Sequence, residues 1–312
     1  MSKILVSGSV AYDRIMDYSG VFSEHIMAEK LHAINLSFQV ETLSMQFGGC
    51  AGNIAYNLAL LGEEAQMIGT VGNDFGAYHA HLLSSGVDPS SIRVLETEVT
   101  SSAYILTDKA DNQIAAFFAG AGKHAYDIPI DTDGRALAIV APGCMPDMRD
   151  LPAYYRKRNF KYLYDPAQQI PALTPEMLKD GITGAYALFG SDYEYTLIQQ
   201  KTGWTEGDIL EHTPMIVVTY GSRGSEIITA EGKKHTDVCP AQAVVDPTGA
   251  GDAYRAGFIK GLVLGLPPED CAKIGSTVAA YVVEVYGTQT HRFTKEEFTH
   301  RYQKTYGGTL SL

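Results

Sequence analysis

Basic residues are scarce in this chain of 312 residues, which has 24 lysines and arginines against 36 aspartates and glutamates. The resulting net charge of -12 at pH 7 opposes that of nucleic-acid phosphates. The basic run Arg156-Lys157-Arg158 is typical of a solvated loop or helix end. The composition therefore argues against a nucleic-acid partner.

Long apolar runs are also missing. Only Ile4-Leu5-Val6 follows the first three residues, which is too short for a secretory signal, and no window approaches the length of a membrane span. The cysteines lack the close pairing of zinc or thioredoxin-like motifs, so we expect reduced, structural thiols. They are Cys50, Cys144, Cys239 and Cys271. These absences predict a cytoplasmic protein without a membrane partner.

Short apolar runs alternate with helical patterns along most of the chain. The predicted strands cover 4–8, 67–71, 137–141, 162–164, 185–189 and 216–219. A helix is predicted to begin after Gly48-Gly49 and to end at Gly62, and a terminal helix is predicted over 294–306. Alternating strands and helices favour an α/β fold with a doubly wound parallel sheet.

Two segments do not follow this rhythm. Residues 32–47 alternate apolar and polar positions, including Ile34, Leu36, Phe38 and Val40, after a short extended piece at 13–17. Residues 101–107 and 113–119 flank a polar turn and predict a β-hairpin. We expect segments 13–47 and 101–119 to pair as a small β lid on a single α/β domain over 1–312.

The most informative stretch places small residues at the start of a predicted helix. Gly249-Ala250-Gly251 leaves backbone N–H groups open to an anion, and the helix dipole adds to the attraction, so a phosphate would fit there. Asp252 follows directly and is placed to take the proton of an attacking hydroxyl. The alternative is a glycine-rich turn with a purely structural acid in the first helical turn.

The longer string 246–252, Asp-Pro-Thr-Gly-Ala-Gly-Asp, resembles the C-terminal signature of the PfkB-type ribokinase family, with Pro247 where that family usually has threonine. Gly48-Gly49 with Asn53 resembles its N-terminal di-glycine signature. Residues 219–224 resemble its nucleotide loop, and the resemblance extends over nearly the whole chain. The resemblance implies a ribokinase-like α/β fold and ATP as phosphoryl donor.

The resemblance also implies roles for individual residues. Asp252 would be the base, and the N–H groups of Gly249, Ala250 and Gly251 would form the anion hole for the γ-phosphate. The residues expected near ATP are Thr219, Gly221, Gly224, Asp246 and Thr248. The region of Asp246, Thr248 and the 287–290 loop resembles the place where family members bind a monovalent cation such as K⁺.

One motif departs from the family pattern. Members commonly carry N-x-x-E in the segment that organises magnesium, whereas this chain has Ser191-Asp192-Tyr193-Glu194. A hydroxyl can hold a water, so Glu194 would still act on Mg²⁺ through water. The alternative is that Ser191 simply caps the helix that begins there.

The acceptor must offer hydroxyls that a carboxylate can bind. Asp13, where the family places an acceptor-binding aspartate, suits a vicinal diol together with Asn53 and the backbone of Gly48 and Gly49. The aromatic side chains of Phe38, Phe117 and Phe118 would sandwich a base, unless they fill the core of the lid.

Segments 4–13, 112–124, 164–166 and 246–258 resemble those of prokaryotic nucleoside and adenosine kinases of this family. That resemblance implies transfer of the γ-phosphate of ATP to the 5′-hydroxyl of a nucleoside, with adenosine the first choice. A ribokinase- or fructokinase-like sugar kinase is the alternative within enzymes, and a non-catalytic nucleotide sensor is the alternative outside them. The sequence leaves monomer and homodimer open.

Overall fold

Strands and helices alternate along most of the computed structural model, which describes residues 3–26, 32–33, 35–110 and 112–310. The strands are β1 Lys3–Ser7, β2 Ala11–Asp17, β3 Thr42–Gly48, β4 Glu64–Ile68, β5 Thr70–Gly72, β6 Arg93–Leu95, β7 Ser101–Thr107, β8 Gln113–Phe118, β9 Arg135–Val140, β10 Tyr162–Tyr164, β11 Ala187–Ser191, β12 Ile216–Thr219, β13 Ser225–Thr229 and β14 Gly232–Thr236. The helices are α1 Cys50–Leu60, α2 Gly76–Ser84, α3 Met145–Lys157, α4 Pro175–Ile182, α5 Asp192–Thr202, α6 Glu206–His212, α7 Ala250–Val263, α8 Pro268–Val283 and α9 Lys295–Tyr306.

An eight-stranded sheet forms the centre of the body, in the order β14-β13-β12-β11-β10-β9-β1-β4. Six strands of this sheet are parallel to one another, namely β12, β11, β10, β9, β1 and β4. At the other edge β13 pairs antiparallel with β12, and β14 pairs antiparallel with β13. The prediction of a doubly wound, mostly parallel sheet is confirmed. None of the helices within the described ranges is both long and apolar enough to span a bilayer.

Helices cover both faces of this sheet, which explains why its strands are apolar without alternation. Ile4 and Val6 point to the face that carries α1, α2, α7 and α8. Leu5, between them, points to the opposite face with α3, α4, α5 and α6. All three side chains are fully buried. The carboxyl end of β1, where the chain leaves the sheet, thus lies between two packed layers of helices.

A separate four-stranded sheet has the order β3-β2-β7-β8. β2 pairs antiparallel with β3 and parallel with β7, and β7 pairs antiparallel with β8. Its register aligns Gln46, Asp13, Ala103 and Phe117 in one row. Because β2 follows β1 and α1 follows β3, this sheet lies at the carboxyl end of β1.

The predicted strand over 32–47 is wrong for its first part. Regular pairing begins only at Thr42, and residues 35–40 form neither strand nor helix. Phe38 instead packs against Tyr18 and Phe22, with ring centroids 4.9 and 5.2 Å apart. Ile34 lies outside the described residues. Phe38 therefore takes part in local aromatic packing, and residues 35–40 belong to no ladder of backbone hydrogen bonds.

Candidate active site

The start of α7 is built around a glycine. Gly249 precedes the helix with a φ of 79°, in the left-handed region that favours glycine. A β-carbon there would lie 2.9 Å from Cγ2 of Thr288, which leaves no room for a side chain. The backbone N–H groups in the first turn of a helix have no intrahelical acceptors. The N–H of Ala250, one of the three predicted for the anion hole, donates here to Pro247 O at 3.3 Å. This turn can therefore receive an anion at Gly251 and Asp252.

Asp252 lies in that first turn and is half-buried. Its Oδ2 accepts a hydrogen bond from Nδ2 of Asn53 at 2.8 Å. Burial raises the pKa of Asp252 to about 6, while the hydrogen bond from Asn53 and the charge of Arg255 oppose the increase. A carboxylate with a pKa near 6 is ionised at neutral pH and still basic enough to accept a proton in a transition state.

The two glycines before α1 leave space for Asp13. The Asp13 carboxylate lies against Gly48, where a β-carbon would collide with it. Gly49 has a φ of 86°, and a β-carbon on it would lie 2.6 Å from Ser9 O. Burial, and then the charge of Asp246, raise the pKa of Asp13 to about 6. The di-glycine therefore lets β2 pack against the start of α1 with a half-buried carboxylate between them.

A cavity of about 490 Å³, which we call the Asp13 cavity, joins these groups. Its lining residues are Ser9, Ala11, Asp13, Gly49, Cys50, Asn53, Ala103, Phe117, Pro142, Gln168, Gln169, Thr248, Gly249, Asp252 and Thr288. Of the three predicted aromatic residues, only Phe117 lies here. Phe118 pairs with Ser102 and points to the other face of the four-stranded sheet, and Phe38 lies in the cluster with Tyr18.

A second cavity of about 350 Å³, which we call the Thr219 cavity, lies on the other side of the start of α7. It is lined by Thr219, Gly221, Ser222, Gly224, Val238, Cys239, Pro240, Ala241, Val244, Pro247, Ala250, Gly251, Tyr254, Ser276, Ala279, Ala280 and Val283. The aliphatic side chains offer a slot for a flat ring, and the glycines allow close approach of a ligand to the backbone. The three predicted nucleotide-loop residues all lie here.

Asp246 organises the loop that precedes α7. Its Oδ1 accepts from the N–H of Thr248 at 2.9 Å, and its Oδ2 accepts from the N–H of Gly287 at 3.1 Å. Thr248 lines the Asp13 cavity, whereas Asp246 lines neither cavity. The carboxylate thereby links this loop to the loop between α8 and α9, which includes Thr288 and Gln289.

Ser191 caps helix α5. Its hydroxyl accepts from the N–H of Glu194 at 3.3 Å, and Oε2 of Glu194 accepts from the N–H of Ser191 at 2.7 Å, which completes a capping box. Among the described residues, no group of three or more histidines, cysteines or acids could hold a metal ion. One carboxylate fits Mg²⁺ only with phosphate oxygens and waters as the other ligands.

An ion pair beneath the first turn of α7 was not predicted as part of the site. Arg255 donates to both carboxylate oxygens of Asp165, at 2.7 and 2.9 Å, and to Gly251 O at 3.2 Å. Both charged residues are at least 95% buried, with exposures of 4% and 1%. The pair fixes the start of α7 to the end of β10.

Other residues of the site were also missed. Cys50 lines the Asp13 cavity, and Nε2 of Gln168 donates to its sulfur at 3.3 Å. All four cysteines are free thiols. Gln168 follows Ala167, whose φ of 33° is unusual for a residue other than glycine. No local pattern in the sequence identifies these residues, because their neighbours come from distant segments.

Comparison with known proteins agrees with this geometry. Residues 1–295 match the model of the pfkB family carbohydrate kinases. A nucleoside kinase of Methanocaldococcus jannaschii is 33% identical over 97% of this chain and 98% of its own length. The structure of Burkholderia thailandensis nucleoside kinase in complex with inosine has a TM-score of 0.85 at 34% identity, and covers 98% of this chain and 99% of that one. The structure of the same Burkholderia protein in complex with ADP-inosine has a TM-score of 0.82 at 35% identity, and covers 98% of this chain and 97% of that one.

Proposed function

We propose that this chain, which belongs to the pfkB family of carbohydrate kinases and is an ATP-dependent phosphotransferase acting on a hydroxyl group, phosphorylates the 5′-hydroxyl of a nucleoside with Asp252 as base. The observation that carries the proposal is the position of one helical turn between two cavities. Gly249 and Asp252 line the Asp13 cavity, and Ala250 and Gly251 line the Thr219 cavity.

The reaction follows from that position. With ATP in the Thr219 cavity, its γ-phosphate lies at the first turn of α7, where N–H groups and the helix dipole stabilise negative charge. The acceptor oxygen attacks the γ-phosphorus from the Asp13 cavity, and the bond to the β–γ bridging oxygen breaks to release ADP. The hydroxyl proton passes to the carboxylate of Asp252.

Asp252 needs support for this role, and the site provides it. Asn53 holds Oδ2, which fixes the rotation of the carboxylate. Arg255 holds Gly251 O and thus the backbone of the turn. Phosphoryl transfer depends mainly on positioning and charge stabilisation, so a rigid turn between the two cavities is what the chemistry requires.

Magnesium is proposed from the family and from the chemistry of ATP. A bound Mg²⁺ would supply positive charge that neutralises the phosphates of ATP. Glu194 would hold a water of that ion with the carboxylate oxygen that the capping box leaves over. A monovalent cation such as K⁺ near the loop of Asp246 is likewise a proposal, and turnover with K⁺ against Na⁺ tests it.

The nucleoside acceptor rests on the lining of the Asp13 cavity. Asp13 and Asn53 offer an acceptor and an amide to the ribose diol, and Phe117 offers a flat surface to a base. Inosine is the nucleoside bound to the Burkholderia relative. We propose adenosine as the first choice and inosine as its nearest rival. The residues that line the cavity do not distinguish a 6-amino from a 6-oxo group, so the two must be compared by experiment.

A panel of acceptors tests the proposal. ATP consumption and product formation are measured with adenosine, inosine, guanosine, cytidine, ribose and fructose. Purine nucleosides should exceed ribose by about a hundredfold in kcat/KM, since a stacked base adds about 2 to 3 kcal/mol of binding. A lead for ribose or fructose would replace the proposal with a sugar kinase. No stimulation by any acceptor would favour the nucleotide sensor.

A further inference from the structure

Behind Asp252, a buried glutamine joins three side chains of the site. Gln289 lies in the loop between α8 and α9 and is 3% exposed. Its Nε2 donates to Oδ1 of Asn53 at 3.0 Å and to Oη of Tyr78 at 2.6 Å. Its Oε1 pairs with Nε2 of His81 at 3.0 Å. The amide of Gln289 is therefore fully engaged on both ends.

The polarity of these groups allows one direction of hydrogen bonding. Tyr78 donates its hydroxyl proton to Gly48 O at 2.8 Å, so its oxygen accepts from Gln289. The carbonyl end of Gln289 can only accept, so His81 carries a proton on Nε2. Asn53 must then present Oδ1 to Gln289 and one Nδ2 proton to Oδ2 of Asp252, at 2.8 Å. A reversed Asn53 would face a carboxylate with a carbonyl oxygen, which costs two buried hydrogen bonds.

We propose that Gln289 is a positioning residue for phosphoryl transfer, which acts through Asn53 to hold the Asp252 carboxylate ionised and correctly turned. The inference rests on the proposed role of Asp252 as base. Gln289 itself contacts neither the Asp252 carboxylate nor, by its place in the network, a substrate. Gln289 would thereby tie the loop between α8 and α9, which also holds Asp246 through Gly287, to the base.

Four other groups face Asp252, and of these four only Tyr78 bonds to Gln289. They are Cys50 from α1, Tyr78 from α2, Arg255 on α7 and Asp165 at the end of β10. Arg255 and Asp165 pair with each other, so their net charge near the base is small. Asn53 bonds to both Gln289 and Asp252, so it is the most direct route by which a change at position 289 reaches the pKa of Asp252.

The test is the pH dependence of kcat for Gln289→Met and Gln289→Glu, with the acceptor saturating. Loss of the donor to Asn53 lets that amide rotate and weakens its bond to Asp252, so the acid limb of kcat should move upward by about half a pH unit or more. Gln289→Glu should move it further, because an ionised carboxylate accepts from Nδ2 of Asn53 and turns Oδ1 toward the base. For a shift of half a pH unit the loss of kcat should be about twofold near pH 6, about threefold well below it, and negligible near pH 8.5.

Gln66→Met is the matched control. Gln66 lies on β4, outside the Asp13 and Thr219 cavities. Its replacement by methionine removes the same side-chain amide as Gln289→Met. It should keep the wild-type acid limb. A Gln289 variant that lost activity equally at every pH, with an unmoved limb, would overturn the inference in favour of a structural role. Thermal unfolding of each variant shows whether it is folded, and Gln289→Glu preserves the volume if Gln289→Met does not fold.

A double-mutant cycle with Asn53→Ala tests the route. If Gln289 acts through Asn53, then Gln289→Met should lower kcat no further when Asn53 is already alanine. An equal additional loss in that background would overturn the inference. Asp252→Asn separates it from the proposed function. Should that variant keep more than a tenth of the turnover, the base assignment fails, whereas a dead Asp252→Asn with additive Gln289 and Asn53 effects sinks only the role of Gln289.

Discussion

The carboxylate of Asp13 fills the space in which a β-carbon on residue 48 would stand, so Gly48 is what allows β2 to bring this acid into the site. The two residues lie on paired strands, with Ala11 opposite Gly48 and Asp13 opposite Gln46. The di-glycine thus has a steric reason as well as a conformational one, since Gly49 also has a positive φ.

Gly48→Ala should therefore damage acceptor binding selectively. The methyl group would displace the Asp13 carboxylate, so the acceptor KM should rise by about tenfold or more while the ATP KM stays within about twofold. Steady-state kinetics with each substrate varied in turn measures both. Gly76→Ala is the control, because a β-carbon there meets no atom within 4 Å. An unchanged acceptor KM in Gly48→Ala would remove Asp13 from the acceptor site.

The central sheet could be predicted because its strands carry their own signal. Ile4, Leu5 and Val6 are all apolar, and a strand buried on both faces needs no alternation. The same rule failed at 35–40, where Leu36, Phe38 and Val40 alternate without a partner strand. Alternation of apolar and polar residues does not by itself establish a strand, because an apolar side chain can also pack outside a sheet. Phe38 does so against Tyr18 and Phe22.

The site was predictable where glycines and an acid lie close together in the chain. Gly249 and Asp252 are such a case, because their local spacing together with the family resemblance predicts an anion site with a base beside it. The bond of Gln289 to Asn53 spans 236 positions, and that of Asn53 to Asp252 spans 199. No local pattern encodes such pairs, since they depend on how α1, α7 and the loop after α8 are packed.

Phe117→Ala and Phe118→Ala should differ, although the residues are neighbours. Phe117 lines the Asp13 cavity, and Phe118 points to the other face of its strand. Their exposures of 62% and 50% mean that neither fills a core, so both variants should fold. Loss of the stacking surface should raise the nucleoside KM of Phe117→Ala by about tenfold and leave that of Phe118→Ala within about twofold. Equal effects on the nucleoside KM would contradict the proposal that Phe117 stacks on the nucleobase.

The pH profile should show two carboxylates that must be ionised. Burial raises the pKa of both Asp13 and Asp252 to about 6, so each gains a proton, and loses its function, as the pH falls through that value. The logarithm of acceptor kcat/KM should then fall below pH 6 with a slope approaching 2, while that of kcat falls with a slope of about 1. Asp13→Asn should reduce the kcat/KM slope to about 1. A slope that Asp13→Asn leaves unchanged would mean that Asp13 does not titrate with acceptor binding.

The most direct test of the account is the product that the wild-type enzyme and Asp252→Asn form from ATP and adenosine, followed by phosphorus NMR under identical conditions. The wild-type enzyme should form the nucleoside 5′-monophosphate, with the phosphorus coupled to the 5′ protons of the ribose. Asp252→Asn should form the same product at least about a thousandfold more slowly, because the proton of the hydroxyl no longer has an acceptor. Its ATP and adenosine affinities should change little. Phosphate on another oxygen, or a tenth of the wild-type rate in Asp252→Asn, would contradict the account.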